Sequence, residues 1–163
     1  MAFITLPDII DYSPISSQID AKFIEPFITT SQDIHIEPVL GSTLNSDLLE
    51  LIDTYNVTGI TGTNQTLIVS YIQPAMIWLT AFEGLHFLDK KIKNSGIVKS
   101  AGDGSTNLSI EEFADFEKKI KDNAMFYKSR LVKYLNDNVS SFPSYCYTST
   151  NNINSIGLYL GNF

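Results

Sequence analysis

The stretch Leu67-Ile68-Val69-Ser70-Tyr71-Ile72-Gln73-Pro74-Ala75-Met76-Ile77-Trp78-Leu79-Thr80-Ala81-Phe82-Glu83-Gly84-Leu85-His86-Phe87-Leu88 decides the fold. Wound as a helix, it is apolar over most of its circumference. Such a helix must be covered by neighbours on several sides. The spacing therefore predicts a central helix over residues 66–93, with Ala75, Trp78 and Phe82 in the core. Pro74 lacks a backbone donor and crowds the carbonyl four residues before it, so a kink is expected near Ser70. The basic end, Lys90-Lys91-Ile92-Lys93, would complement the negative pole of the helix C-terminus. Gln73, Pro74, Glu83 and His86 interrupt the apolar run, which falls short of the roughly 18 uncharged residues a membrane span needs.

Upstream, Pro7 and Pro14 punctuate scattered apolar residues, and residues 1–16 read as an extended N-terminal arm. Ile19, Phe23, Phe27 and Ile28 then recur with helical spacing, and Pro26 should make this helix irregular or start it afresh. Pro38 and Gly41 supply stop signals, and Leu44, Leu48, Leu51 and Ile52 line one side of a short helix over 43–55. Gly59 and Gly62 mark a loop over 56–64. Downstream, residues 95–108 form a second glycine-bearing loop, with Gly96, Gly102 and Gly104 and a small hairpin around Ile97-Val98. Both loops are read as assembly surfaces, since loops on a rigid scaffold usually bear function. Ser109-Ile110-Glu111-Glu112 is a capping box that opens the last long helix. Phe113, Phe116, Ile120, Ala124, Tyr127, Leu131, Tyr134 and Leu135 trace its stripe as far as residue 138. The expectation is a mainly α fold: a helical bundle over 17–139 with a long kinked central helix and a long C-terminal strut. Small hairpin or loop insertions, the arm and an extended uncharged tail over 140–163 complete it.

That tail is unusual. From Asn138 to Phe163 it has no charged side chain, yet it carries Phe142, Tyr145, Tyr147, Ile153, Ile156, Leu158, Tyr159, Leu160 and Phe163. So much apolar surface does not stay in water. Either the tail folds back on its own helices, or it adds a strand or threads a groove on another polypeptide. The side chains expected to bind such a partner are Tyr145, Tyr147, Ile156, Leu158, Tyr159, Leu160 and Phe163.

Reaction chemistry finds little support. Cys146 is the only cysteine, which excludes an intrachain disulfide and a cysteine-rich metal cluster. His35 and His86 stand on separate elements with no acidic or cysteine residue at metal-ligand spacing. No nucleophile elbow, phosphate loop or dinucleotide fingerprint occurs. Residues 101–112 resemble a calcium loop, but Ala101 stands at the first ligand position and Thr106 at the turn glycine, and Glu112 is better spent on the cap. No catalytic, cofactor-binding or metal-binding residue is assigned, and the chain is read as a non-enzyme. Its net charge of −7 disfavours adhesion to phosphate backbones, and the first eleven residues carry no secretory signal.

The order of these features resembles a known family. Ile36-Glu37-Pro38-Val39-Leu40-Gly41 followed by Leu44 and Leu48, then Tyr71-Ile72-Gln73-Pro74-Ala75, is similar to head–tail connector proteins of tailed bacteriophages. So is the sequel of Asn94-Ser95-Gly96-Ile97-Val98, Phe126-Tyr127, Leu131, Tyr134-Leu135 and Phe142-Pro143-Ser144-Tyr145. The likeness is to neck or adaptor rings of crAss-like and other Bacteroides-type phages, and it covers residues 20–145. It implies a structural virion protein, assembled in the host cytoplasm into a ring, commonly a dodecamer, beneath the portal. Its partners would be itself, the portal protein and a further neck or tail protein, with DNA passing through without specific binding and no membrane involved. Another neck or tail-completion ring protein is the alternative, and a cellular helical adaptor or ligand-binding bundle stands further off.

Overall fold

A computed structural model describes residues 2–15, 19–88, 90–93, 96–99 and 109–145. Helix α1 spans Leu6–Tyr12. The Asp8 carboxylate accepts from both the backbone N–H and the hydroxyl of Thr5, at 2.7 Å each. Pro7 falls in the first turn, where a backbone donor has no intrahelical acceptor to lose. The expected extended arm is thus corrected: it is a capped helix, and Phe3, Ile4 and Ile9 are buried in the core. Two amides pin it there. Phe3 N–H donates to Gln32 Oε1 at 3.3 Å, and Gln73 Nε2 donates to the Phe3 carbonyl at 3.0 Å.

Helix α2 spans Ala21–Ser31 and runs through Pro26 without restarting, with Asp20 capping its start. It leads into a π turn, Gln32–Ile36, and the short helix α3, Glu37–Leu40. Helix α4 follows, Ser42–Gly59. After only two residues, α5 (Gly62–Leu67) begins, then a second π turn (Ile68–Ile72) and α6 (Gln73–Leu88). The loop expected over 56–64 is therefore mostly helix.

The two π turns share one cause. Each ends two residues before a proline, Pro38 or Pro74, whose ring would crowd the carbonyl four residues back. An extra residue in the turn relieves the crowding, and the next N–H reaches back five residues: Glu37 to the Gln32 carbonyl, Gln73 to that of Ile68. The kink expected near Ser70 takes this form. Ile36, Ile68 and Ile72 remain buried, while Ile34 and Val69 are turned out to solvent.

Gly41 joins α3 to α4 at φ 77° and ψ 152°, a backbone region essentially reserved for glycine. Asn56 occupies the same region near the end of α4, at φ 55° and ψ 164°, and it is exposed. That conformation costs a non-glycine residue about 1–3 kcal/mol. Asn56→Gly is expected to raise stability by about 1 kcal/mol after glycine's extra unfolded-state entropy is subtracted. A higher melting temperature would register the gain.

Helix α6 is central, as its composition demands. It packs against α7 (Ile110–Asp137), against α2, and near its start against α1. Gly84 lets α2 approach: a Cβ there would stand 3.0 Å from Ile24 Cδ1 and 3.4 Å from Phe27 Cδ2. Ala75, Met76, Ile77, Leu79, Ala81 and Leu85 are buried, but Trp78 and Phe82 are only partly so. Their expected place deep in the core is corrected to its margin. The helix also ends earlier than expected, at Leu88. Lys90–Lys93 is strand β1, paired antiparallel with β2, Gly96–Lys99, in the register Ile92 opposite Ile97. The lysines expected to cap a helix end thus belong to the small hairpin expected around Ile97-Val98. The loop carrying Gly102 and Gly104, with its calcium-like motif, lies outside the described residues.

The Ser109–Glu112 capping box is present. Ser109 N–H donates to Glu112 Oε2 at 2.8 Å, and Glu112 N–H donates to Ser109 Oγ at 3.2 Å. The backbone bond from Ser109, then its side-chain bond, hold the Glu112 carboxyl below its ordinary value. A depressed folded-state value means stabilisation that is complete above the unfolded value and lost as pH falls through the folded one. Amide exchange at the first turn of α7 is expected to accelerate on acidification more than exchange at its middle. Glu112→Gln should remove that pH dependence.

Candidate functional site

A concave site forms where α1, the second π turn, α6 and α7 meet. Pro74 both forces the π turn that presents Val69 and stands in the wall itself. Asp8 and Tyr12 come from α1, Val69 from the turn, Gln73, Pro74, Ile77 and Trp78 from α6, and Tyr127 and Arg130 from α7. Together they enclose about 530 Å³. That volume falls within the range of roughly 300–1,000 Å³ typical of ligand pockets.

The lining is mainly apolar and aromatic. Tyr12 is 70% exposed, Val69 42%, and the neighbouring Phe126 58%, so hydrophobic surface continues past the rim. The polar members are already engaged: Asp8 holds Thr5, and Gln73 holds the Phe3 carbonyl. The Arg130 guanidinium lies 5.4 Å from the Tyr71 ring, 5.7 Å from Tyr127 and 5.9 Å from Phe126. Its planar cation thus lies near three ring quadrupoles, on a side chain that is itself exposed. Exposed aromatics around a concave floor with a tryptophan and an arginine have the composition of a binding hot spot.

An aromatic ladder connects this site to the end of α7. Tyr71 stacks on Tyr134 with centroids 4.0 Å apart at 15°, and Tyr134 meets Phe142 edge-on at 6.1 Å. Burial, and secondarily the Tyr71 phenol, push the Tyr134 hydroxyl above its usual value. Lys128, on α7, is held below its usual value by burial.

Beyond α7, the chain makes a 3-10 turn, Val139–Ser141, and doubles back. Ser144 Oγ donates to Asp47 Oδ2 at 2.8 Å, and Tyr145 OH donates to Asn136 Oδ1 at 2.9 Å. Phe142 is 2% exposed and Tyr145 4%. The expected partner-binding role of Tyr145 is therefore corrected: its ring is consumed by the chain's own core. Tyr147, Ile156, Leu158, Tyr159, Leu160 and Phe163 lie outside the described residues, as does the side chain of His86.

His35 has a partner that its spacing did not betray. Its Nε2 lies 2.7 Å from Glu83 Oε1, tying the first π turn to α6. A single histidine–carboxylate pair orients two elements but supplies neither a nucleophile nor a ligand set. Among the described residues no three His, Cys, Asp or Glu side chains converge on a metal position. No described helix is long and apolar enough to cross a membrane.

A model of a family of unknown function, DUF6712, matches residues 36–155. The chain belongs to that family. The matched span starts at the last residue of the first π turn, takes in α3 to α7, and continues past Tyr145. The family's stretch thus contributes most of the concave site, from Val69 to Arg130, while Asp8 and Tyr12 close it from outside. Neither the curated proteins nor the solved structures contain a match to this chain.

Sequence reasoning missed this site because α1 was read as an arm. One signal pointed to it: Tyr127, Arg130 and Tyr134 share a helical face at three- and four-residue spacing, next to Val69 and Tyr71 just ahead of a proline.

Proposed function

We propose that this chain is a structural subunit of a head–tail connector ring in a tailed bacteriophage. It sits in the virion beneath the portal and walls a conduit for DNA. The observation that carries the reading is the order of elements around Ile36–Gly41. A helix, the Ile-x-Pro-x-Leu-Gly joint, the leucine-bearing α4, a long central helix carrying Pro74 and a 28-residue closing α7 follow one another in the order that the connector resemblance implies.

Two further features support it. A closed ring needs two unlike surfaces on each subunit. Six of the exposed apolar residues fall into two sets: Tyr12, Val69 and Phe126 around the concave site, and Phe23, Ile34 and Tyr55 on α2, the first π turn and α4. Charge is divided as well. Every lysine and arginine except Lys22 lies from Lys90 onward, so acidic side chains dominate the first half of the chain. A net-negative chain lowers adhesion to passing DNA. The ring, a dodecamer by resemblance, contacts the portal on one side and a further neck or tail protein on the other.

A ligand-binding helical bundle is the second reading, favoured by the size and lining of the concave site. Sedimentation of the full chain separates the two. The connector reading expects discrete closed oligomers as concentration rises. A monomer at every concentration that saturably binds a small apolar molecule would favour the bundle.

A further inference from the structure

We infer that the two π turns meet across a subunit boundary: the first π turn of one copy, carrying Asp33 and Ile34, seats in the concave site of the next copy, with Ile34 against Val69 and Asp33 on Arg130. The inference rests on the connector reading and supplies its subunit contact. Single π turns inside helices recur at functional sites. Here each of the two exposes a β-branched apolar side chain, Ile34 at 57% and Val69 at 42%. Around Ile34, Asp33 and Pro38 are exposed as well, so this turn presents apolar surface with a carboxylate beside it. Val69 instead stands in the wall of a cavity whose other apolar walls include Pro74, Ile77, Trp78 and Tyr127. The volume of about 530 Å³ takes an isoleucine together with part of the turn that bears it.

Charge selects this occupant. In the cavity wall, Asp8 already accepts from Thr5, and Gln73 already donates to the Phe3 carbonyl. Arg130 is different: its guanidinium is exposed, and among the described residues it has no carboxylate within ion-pair reach. A guanidinium favours a carboxylate, which it can hold through two parallel N–H donors. Asp33 is such a group, exposed, next to Ile34 and likewise without a cation in reach among the described residues. Placement permits the contact between copies but not within one. At 3.6 residues per turn, Glu83 lies about 150° around α6 from the middle of Gln73, Pro74, Ile77 and Trp78. His35 Nε2 sits 2.7 Å from Glu83 Oε1, so the first π turn is held on the far side of α6 from the cavity. A surface on one side that fits a recess on the other is a heterologous contact, and its repetition generates a ring when the rotation closes.

Sedimentation velocity of the full chain over a concentration series reads the contact. Asp33→Arg and Arg130→Asp, both at exposed positions, are each expected to weaken self-association by about tenfold or more, with helical circular dichroism unaltered. The double variant Asp33→Arg/Arg130→Asp re-creates the pair with its signs exchanged. An equimolar mixture of the two single variants alternates native and exchanged pairs. Both are expected to recover association to near the wild-type value, whereas a structural disturbance by either substitution would add in the double variant instead of cancelling. Wild-type oligomers that both single variants form equally well would overturn the inference and leave the connector reading standing. A double variant and a mixture as weak as the single variants would do the same. A wild type that stays monomeric at every concentration would overturn both.

Discussion

Leu79→Ala is expected to lower the free energy of unfolding by about 2–5 kcal/mol, the range for a buried leucine whose cavity cannot collapse. Leu79 is 1% exposed on α6, among Ala75 and Met76 at 0%, with α2 and α7 packed against the same helix. Phe82→Ala provides the contrast. Phenylalanine is larger, but Phe82 is only partly buried, so its truncation is expected to cost less than that of Leu79. Urea unfolding of both variants at equal protein concentration measures the order directly. The reverse order would mean that α6 is rotated about its axis from the face described here.

Phe142→Ala is expected to cost about 3–5 kcal/mol, as for other fully buried aromatic side chains. The position is five residues beyond the end of the last long helix, where a free tail would tolerate any substitution. Here Phe142 is 2% exposed and closes the ladder onto Tyr134. Tyr145→Phe isolates the neighbouring contribution: it keeps the buried ring and removes the hydroxyl that donates to Asn136. That change is expected to cost on the order of 1 kcal/mol, the net worth of one hydrogen bond. Thermal melts with wild-type midpoints for both variants would show that the chain beyond α7 contributes nothing to the core.

What the sequence made legible followed from periodicity and composition. The central helix, the capped start of α7 and the hairpin are local patterns, and each is present; the stripe of α7 is buried at Ile120, Ala124, Leu131 and Leu135, whereas Phe116 on the expected stripe is exposed. The errors at proline come from its position within a helix, which decides its effect. Pro7 sits in a first turn, and the Thr5–Asp8 box around it was passed over in favour of an arm. Pro38, expected as a stop signal, heads the short helix α3 after a π turn, whereas the kink expected at Pro74 is present as the second π turn. Lys90 to Lys93 satisfied a helix-end rule and a strand equally well, and only the cross-strand partner residues 96–99 distinguish the two. The concave site was hidden for a different reason: it joins residues from Asp8 to Arg130, and no local spacing encodes that α1 and α7 line one cavity. The His35–Glu83 pair is illegible for the same reason.

The proposal that this chain forms a connector ring is tested most directly by imaging. The chain is mixed with a tailed-phage portal protein, and the particles are examined by electron microscopy. The account expects a ring of density on one end of the portal, coaxial with its channel, absent when either protein is omitted. Portal particles indistinguishable from those without the chain, with the chain remaining monomeric in the same mixture, would contradict it.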